Sequence, residues 1–275
     1  MTRAASKLRA ACLTLTAALW AIGCGSGGPS PSPIEPPPPP PPPNNPPVVR
    51  SITAEHSRLE VKGTTTLTAV VEDAETGADR LKYEWTAAAG TITGEGAEVT
   101  YEAPESIEEP EEPEITLTVV ESYAVDASER TNRTEFVAKP VRVHDSRQEL
   151  TKLTQTFLDD FIDSSVPPSE CVRNFSDTCS KGKADELNDI KFNRDTYIML
   201  PGSKYSIRTV TISTPWALAE VIARCEFHAK RISTGDTGVG VGTCTLKATY
   251  ETDRWWLCES SYSEPRGSSF FIRVF

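Results

Sequence analysis

A run of eight consecutive prolines, Pro36 to Pro43, constrains this chain more than any other stretch. Proline fixes φ and has no backbone donor, so neither a helix nor a sheet can form across the run. Residues 25–47 as a whole are rich in Gly, Ser and Pro. We expect them to form an extended polyproline II spacer, roughly 60 Å long across its Pro-rich part. Folded structure is therefore expected in residues 48–275.

The residues before the spacer have the pattern of an export signal. Three basic residues within 2–9 precede an apolar stretch, residues 10–20, that is too short to span a bilayer. The next four residues, Ala21-Ile22-Gly23-Cys24, resemble the lipobox of bacterial lipoproteins, with Ala21 where Leu is usual. This resemblance implies that residues 1–23 are a signal peptide and that Cys24 is lipidated, at the start of a linker over residues 24–47.

The charge distribution argues against one class of partner, and the export signal predicts where the protein is located. Residues 48–144 contain 20 acidic and 9 basic residues, against 18 and 16 in residues 145–275. An acidic surface argues against a nucleic-acid partner, which needs basic patches. The predicted location is the bacterial cell envelope, with the lipid in the membrane. Gly25, rather than Asp, after Cys24 is compatible with the outer membrane, and the modules would face the periplasm or the cell surface.

Residues 48–144 alternate between apolar and polar side chains in six or seven short segments separated by turn signals. This period of two predicts an all-β sandwich, with Trp85 as its core anchor. The stretches LKYEWTAAAGTITGEG (81–96), VTYEAP (99–104) and ITLTVVE (115–121) resemble bacterial PKD and related Ig-like domains. The Gly-Asp-Gly turn of PKD domains is missing after Trp85, so Ig-like is the better name. The resemblance implies a spacer or adhesive module without catalysis.

Two acidic segments of this region offer oxygen ligands that a cation could use. Glu72, Asp73, Glu75 and Asp79 fall in one loop and offer oxygen ligands, but they lack the spacing of an EF-hand. Residues 105–114 contain six acids with interspersed Pro, which predicts a flexible loop. We expect both to be solvated surface, so no metal and no cofactor are predicted.

Residues 145–275 begin with a helical pattern and continue with long strands. Ser146, with Glu149 three residues later, fits a capping box, and apolar residues recur along one face as far as Ile162. Residues 217–232 then have small or apolar side chains at the odd positions from 219 to 229, and residues 239–250 and 255–262 are predicted to be two further long strands. A leading helix followed by antiparallel strands that end in DRWWLCESSY resembles the NTF2-like (SnoaL-like) α+β cone. This resemblance implies a curved sheet wrapped around the helix.

The family also implies a pocket inside the cone, where its enzymes use Asp/His pairs. His228 is the single histidine after His144, and parity places it with Glu226 and Lys230 on the polar face of its strand. Glu220 shares this face and could form a carboxylate pair with Glu226, although both are expected to be solvated. Four aromatic residues could line a ligand pocket, with core packing as the alternative role for each. They are Tyr205, Trp216, Trp255 and Trp256.

Five cysteines follow the spacer, and an exported chain with five predicts two disulfides and one free thiol. Cys225 and Cys244 lie on the core parities of neighbouring strands, so a cross-strand bridge is plausible. Cys171 and Cys179 would close a short loop, which leaves Cys258 over. Cys244–Cys258 is the rival pairing. No spacing forms the C-x-x-C pattern that is typical of zinc sites.

The sequence therefore leaves three functions open. The favoured one is a structural or interaction lipoprotein whose C-terminal head binds an envelope protein or a glycan. The second is a head that holds a small apolar molecule in the cone. The third is an enzyme of the NTF2-like family, which needs titratable groups inside the cone. No catalytic arrangement is evident, so we do not expect an enzyme.

Overall fold

The computed structural model describes residues 43–77, 80–125, 127–213 and 217–265. The predicted signal peptide, Cys24 and most of the spacer lie outside the described residues, as do Asp79, Trp216 and the C-terminal residues 266–275. Within the described ranges, no helix has the length and apolar character needed to cross a membrane.

Residues 44–144, here called the β-module, consist of nine strands. Four strands form one antiparallel sheet in the order β1-β3-β6-β5, and three form a second in the order β4-β7-β8. Strands β2 and β9 pair with each other in parallel. The strands are β1 Val48–Ala54, β2 Arg58–Glu60, β3 Thr64–Glu72, β4 Lys82–Ala87, β5 Thr91–Thr93, β6 Glu98–Glu102, β7 Ile115–Val125, β8 Ser128–Ala138 and β9 Arg142–His144.

The two larger sheets of the β-module share one apolar core. Leu67 and Val99 from one sheet and Leu117 from the other are almost completely buried. The anchor of this core differs from the prediction. Trp85 is only half-buried and its indole N–H donates to the carbonyl of Gly96, whereas Tyr101 is fully buried. The hydroxyl of Tyr101 finds a carbonyl acceptor inside the module, so the whole ring can leave water.

Residues 145–265, here called the helix–sheet module, place three helices before a five-stranded antiparallel sheet. The sheet has the order β10-β12-β13-β14, and β11 pairs with the first part of β12 while β10 pairs with its end. The elements are α1 Ser146–Ile162, α2 Pro168–Cys171, α3 Lys183–Thr196, β10 Tyr197–Met199, β11 Lys204–Ile212, β12 Leu218–Arg231, β13 Thr237–Glu251 and β14 Arg254–Ser263.

The inward face of this sheet, which contacts the helices, is filled by side chains. A chain of aromatic contacts crosses the interior, from Phe175 to Phe157 (ring centroids 5.2 Å apart), to Phe161 (6.3 Å), to Phe227 (5.6 Å) and to Tyr262 (5.2 Å). The four phenylalanines are almost completely buried. The odd-numbered residues of β12 from 219 to 229 are buried against this cluster, as their alternation in the sequence predicts.

The N-cap residue of helix α1 lies one position before the predicted one. Asp145 is the N-cap residue, and its side chain accepts a hydrogen bond from the backbone N–H of Gln148. The predicted cap, Ser146, is the first helical residue. Its hydroxyl donates to Glu60 at 2.8 Å and accepts from Arg58 at 2.8 Å and from the indole of Trp255 at 2.9 Å.

Ser146 is thus the centre of a buried polar junction between the two modules. Residues from Asn44 onward belong to one compact unit. His144, also fully buried, extends the junction, because its Nδ1 lies 3.0 Å from a Glu149 oxygen and its Nε2 lies 3.0 Å from the Tyr250 hydroxyl. A hydroxyl offers one donor and two acceptor sites, and Ser146 uses all three.

The acidic segment 105–114, predicted to be a flexible loop, is held against the junction instead. Lys152 of α1 donates to the carboxylate of Glu109 at 2.8 Å and to the carbonyl of Glu108 at 2.7 Å. Glu111 exchanges backbone hydrogen bonds with Val143 of β9. Basic partners on neighbouring elements offset the repulsion that a bare run of acids would have.

The cysteines form one expected pair and one unexpected pair. Cys225 is bonded to Cys244 across β12 and β13, whereas Cys179 is bonded to Cys258. The predicted Cys171–Cys179 loop is therefore wrong, and so is the rival Cys244–Cys258 pairing. Cys171 is a buried free thiol on the inner side of the module. The chain after α2 turns away from Cys171 and runs along β14, which brings Cys179 to Cys258.

Candidate functional site

Of the four aromatic residues that could line a pocket, the three that the structure describes do not meet in one place. Tyr205 of β11 donates its hydroxyl to Asp159 of α1 at 2.7 Å, and burial raises its pKa above the ordinary value. Trp255 is buried and points inward, to Ser146 of the junction. Trp256, the next residue along β14, points outward and has the guanidinium of Arg254 3.8 Å from its ring centre. Trp216 lies outside the described residues.

The histidine considered for catalysis lies on the outward face of β12, as its parity predicts. Its Nε2 is 3.0 Å from a Glu226 oxygen, which also lies 3.4 Å from the ammonium of Lys204. The hydrogen bond with His228, followed by the ion pair with Lys204, holds the pKa of Glu226 below its ordinary value. Glu220 belongs to a different part of the same strand, so the sheet forms no Glu220–Glu226 pair.

A cavity of the helix–sheet module opens on the outward face of the sheet, on the side away from the helices. It has a volume of about 660 Å³. Its floor is formed by outward residues of β12 and β13, and one wall is formed by residues 178–181. We call residues 174–182 the strap and this cavity the outward pocket. None of Tyr205, Trp255 and Trp256 lines it.

The strap follows the edge of β14 and is fixed to it at three places. The carbonyl of Asn174 accepts from the N–H of Leu257 at 2.9 Å, and the N–H of Ser176 donates to the carbonyl of Leu257 at 2.7 Å. The Cys179–Cys258 disulfide then ties the strap to the outward side of the same strand. The register of β14 shifts beside Cys258, where Lys247 pairs with Glu259 but Ala248 pairs with Leu257. This bulge leaves Cys258 unpaired and available to the strap.

A row of side chains crosses the floor of the outward pocket. The pairing register places Thr211 of β11 beside Glu220 of β12, Glu220 beside Lys247 of β13, and Lys247 beside Glu259 of β14. Neighbours in such a row are about 5 Å apart at the backbone. Lys247 donates to Glu259 at 2.8 Å, and this hydrogen bond raises the pKa of the lysine. The row thus alternates negative, positive and negative charge.

A buried acid lies on the inner side of the strap and was missed from the sequence. Glu186 of α3 is fully buried and accepts hydrogen bonds from the hydroxyl and the N–H of Ser260. Burial raises the pKa of this carboxyl above its ordinary value. Lys181 of the strap lies 3.5 Å from Glu186 and 3.0 Å from Asp189. Because Ser260 and Lys181 already occupy the carboxylate of Glu186, we assign Glu186 a role in holding the strap.

The acidic loop considered for calcium is occupied by protein partners. Glu72 pairs with Arg50 at 2.8 Å, and Asp73 accepts from the backbone N–H groups of Glu75 and Thr76. In the part of the chain that the structure describes, no group of three His, Cys, Asp or Glu side chains is arranged to hold a metal ion.

Comparison with known proteins gives structural neighbours only. No family model and no curated protein matches the sequence. A ketosteroid isomerase-like protein from Erwinia carotovora atroseptica matches with a TM-score of 0.37 and 14% identity, over 43% of this chain and 96% of its own. An NTF2-like superfamily protein from Salmonella enterica matches with a TM-score of 0.35 and 13% identity, over 46% of this chain and 97% of its own.

A hexachlorocyclohexane dehydrochlorinase also matches, with a TM-score of 0.33 and 10% identity, over 46% of this chain and 95% of its own. At these identities and scores we transfer no ligand and no reaction. The arrangement of the helix–sheet module itself, with helices on one face of an antiparallel sheet, is the one that the NTF2-like resemblance implies.

Proposed function

We propose that this chain is a lipid-anchored binding protein of the bacterial cell envelope, without catalytic activity. In this proposal Cys24 carries the lipid, the proline-rich linker is the spacer, and the β-module is an Ig-like support. The helix–sheet module is an NTF2-like head that binds an envelope protein or a glycan. The lipobox resemblance and the proline run support the anchor and the spacer. The paired sheets with a shared core support the Ig-like assignment.

One observation carries the absence of catalysis in this proposal, namely the filled interior of the head. The NTF2-like resemblance implies chemistry inside the cone, between helices and sheet. In this chain that space holds the aromatic chain from Phe175 to Tyr262. The buried acid nearby, Glu186, is engaged by Ser260 and Lys181. A general acid or base needs its substrate within hydrogen-bond reach, and a packed interior leaves no room for one.

The second candidate function, a small-molecule-binding head, is favoured by the outward pocket alone. Its volume of about 660 Å³ lies within the range of ordinary ligand sites. A ligand there would lie on the opposite face of the sheet from the one that the family resemblance implies.

The anchor is tested by metabolic labelling with an alkyne fatty acid in a Gram-negative host. We expect the full-length chain to be labelled and to sediment with membranes, and Cys24→Ala to lose both properties. Cys171→Ala is the matched control, because its thiol is buried and should not accept lipid. Label that persists in Cys24→Ala would overturn the anchor.

The binding function is tested by native mass spectrometry of the chain extracted from its own membranes, with crosslinking before extraction. We expect no small molecule in the head and a crosslinked envelope protein or glycan. A stoichiometric small molecule would favour the second candidate, and turnover of such a molecule would overturn the proposed absence of catalysis.

A further inference from the structure

Three carboxylates line the outward pocket, those of Glu220, Glu251 and Glu259, against two lysines, Lys181 and Lys247. Lys247 is paired with Glu259 at 2.8 Å, and Lys181 is paired with Asp189 at 3.0 Å. The carboxylate of Glu251 accepts hydrogen bonds from the hydroxyls of the strap. These charges are satisfied within the module and need nothing from outside.

Glu220 is different. Its side chain is half-buried on the floor of the outward pocket, and it forms no hydrogen bond or ion pair with any residue that the structure describes. The nearest cation across the register is Lys247, which Glu220 attracts but which is hydrogen-bonded to Glu259 on the far side, so one lysine serves two carboxylates. A partly desolvated carboxylate gains from a cationic partner. The pocket thus has room for one positive charge beside Glu220.

An apolar surface lies next to this carboxylate. Leu218, two residues earlier on the same face of β12, is 59% exposed and lines the same pocket. Side chains two apart on a strand are about 7 Å from each other. Lysine and arginine side chains complement this surface, because each has an apolar stem that ends in a cation. The stem is about as long as the distance between Leu218 and Glu220. The stem would lie on Leu218 and the head would reach Glu220.

We infer that the outward pocket binds a lysine or arginine side chain of a peptide segment in a partner protein, with Glu220 as its ion-pair partner. This inference rests on the proposed function, since it names the chemistry of the partner. The hydroxyls of Thr211, Ser213 and Thr249 line the same pocket and can hydrogen-bond to the peptide backbone. The volume of about 660 Å³ exceeds that of one side chain and leaves space for that backbone.

The net charge of the chain favours the same class of partner. The formal charge of the whole sequence is −11, and most of it lies in the β-module, since residues 145–275 have a net charge of only −2. A negative protein draws basic segments toward it and repels acidic ones, which raises the association rate at low salt. Glu220 would then give the attraction a fixed position.

The test uses the membrane-extracted chain and a fluorescent seven-residue peptide with a central arginine between glycines and serines. The matched probe replaces arginine by citrulline, which keeps the shape and removes the charge. We expect fluorescence anisotropy to show about tenfold weaker binding of the citrulline peptide, which corresponds to about 1.4 kcal/mol. Glu220→Gln should weaken binding of the arginine peptide by a similar factor.

The control variant is Glu98→Gln, which removes an exposed strand carboxylate from the β-module. It should leave the affinity for the arginine peptide unchanged. Equal affinity for both peptides, an unaffected Glu220→Gln, or an equal loss in Glu98→Gln would each overturn the inference. An unchanged melting temperature of Glu220→Gln shows that the head is folded.

This outcome is separable from failure of the proposed function. If crosslinking finds an envelope partner but the arginine peptide does not bind, the proposed function stands and only the inference falls. If crosslinking finds no partner and a small molecule occupies the head, the proposed function falls, whatever the peptide does.

Discussion

The filled interior of the head makes a sharp prediction for Phe227→Ala. Phe227 is fully buried on β12, with its ring 5.6 Å from that of Phe161 and 5.2 Å from that of Tyr262. Truncating a buried phenylalanine removes its transfer free energy and leaves a cavity, which together cost about 3–5 kcal/mol. The lost edge-to-face contacts are included in that figure. A loss of this size is a large part of the stability of an ordinary domain.

The assay is equilibrium unfolding in urea, followed by tryptophan fluorescence and by circular dichroism. Two probes are needed because the β-module and the head can unfold in separate steps. Phe192→Ala is the control, since this phenylalanine is 55% exposed on α3 and its truncation should cost less than about 0.5 kcal/mol. Phe227→Ala should also bind benzene in its new apolar cavity, whereas the native helix–sheet module should not bind benzene.

A loss of less than about 1 kcal/mol in the free energy of unfolding of Phe227→Ala would refute the reasoning. Truncation of a ring that borders an open pocket costs little, because it creates no new cavity. Benzene binding by the native head would refute it independently. Either result would indicate that the interior of the helix–sheet module has space for a ligand.

Three further changes test the junction, the buried acid and the strap. Ser146→Ala leaves the buried indole N–H of Trp255 without its acceptor, so we expect a loss of about 2 kcal/mol in urea unfolding. Glu186 has a raised pKa, so its favourable contribution is complete below pH 4.5 and is lost as the pH rises through the raised value. Glu186→Gln should flatten the fall in stability above pH 4.5. Replacing Cys179 and Cys258 by Ser removes a disulfide between residues 79 apart in the sequence, which should lower the free energy of unfolding by about 4 kcal/mol through chain entropy. An unchanged unfolding midpoint would contradict the role of this disulfide in fixing the strap.

Regular alternation made the sheet of the head predictable. The odd-numbered residues of β12 are small or apolar, and a strand that buries one face must alternate in this way. The same rule bears on Trp255 and Trp256. Consecutive strand residues point to opposite faces, so the two indoles could not line one pocket. The structure places the first inward at the junction and the second outward under Arg254.

The path of the strap could not be predicted, because no local sequence pattern indicates which part of the sheet it contacts. Residues 169–183 are polar and have neither helical nor strand periodicity. The course of the strap depends on backbone groups of Leu257, about eighty residues later, and on the bulge that frees Cys258. A short loop between Cys171 and Cys179 satisfies the sequence equally well, and only the long-range contacts exclude it. The burial of Glu186 has the same origin, since its partner Ser260 is on β14.

The strap also explains why the two faces of the sheet can have different roles. On the inner side, Phe175 begins the aromatic chain and Lys181 holds Glu186. On the outer side, Thr178 and Ser180 form a wall of the outward pocket. A single segment therefore closes the interior and shapes the exterior, tied by the same disulfide. Packing on the inner face stabilises the fold, and side chains on the outer face, such as Glu220, remain partly exposed to water. This division separates the face that stabilises the fold from the face on which we propose that a partner binds.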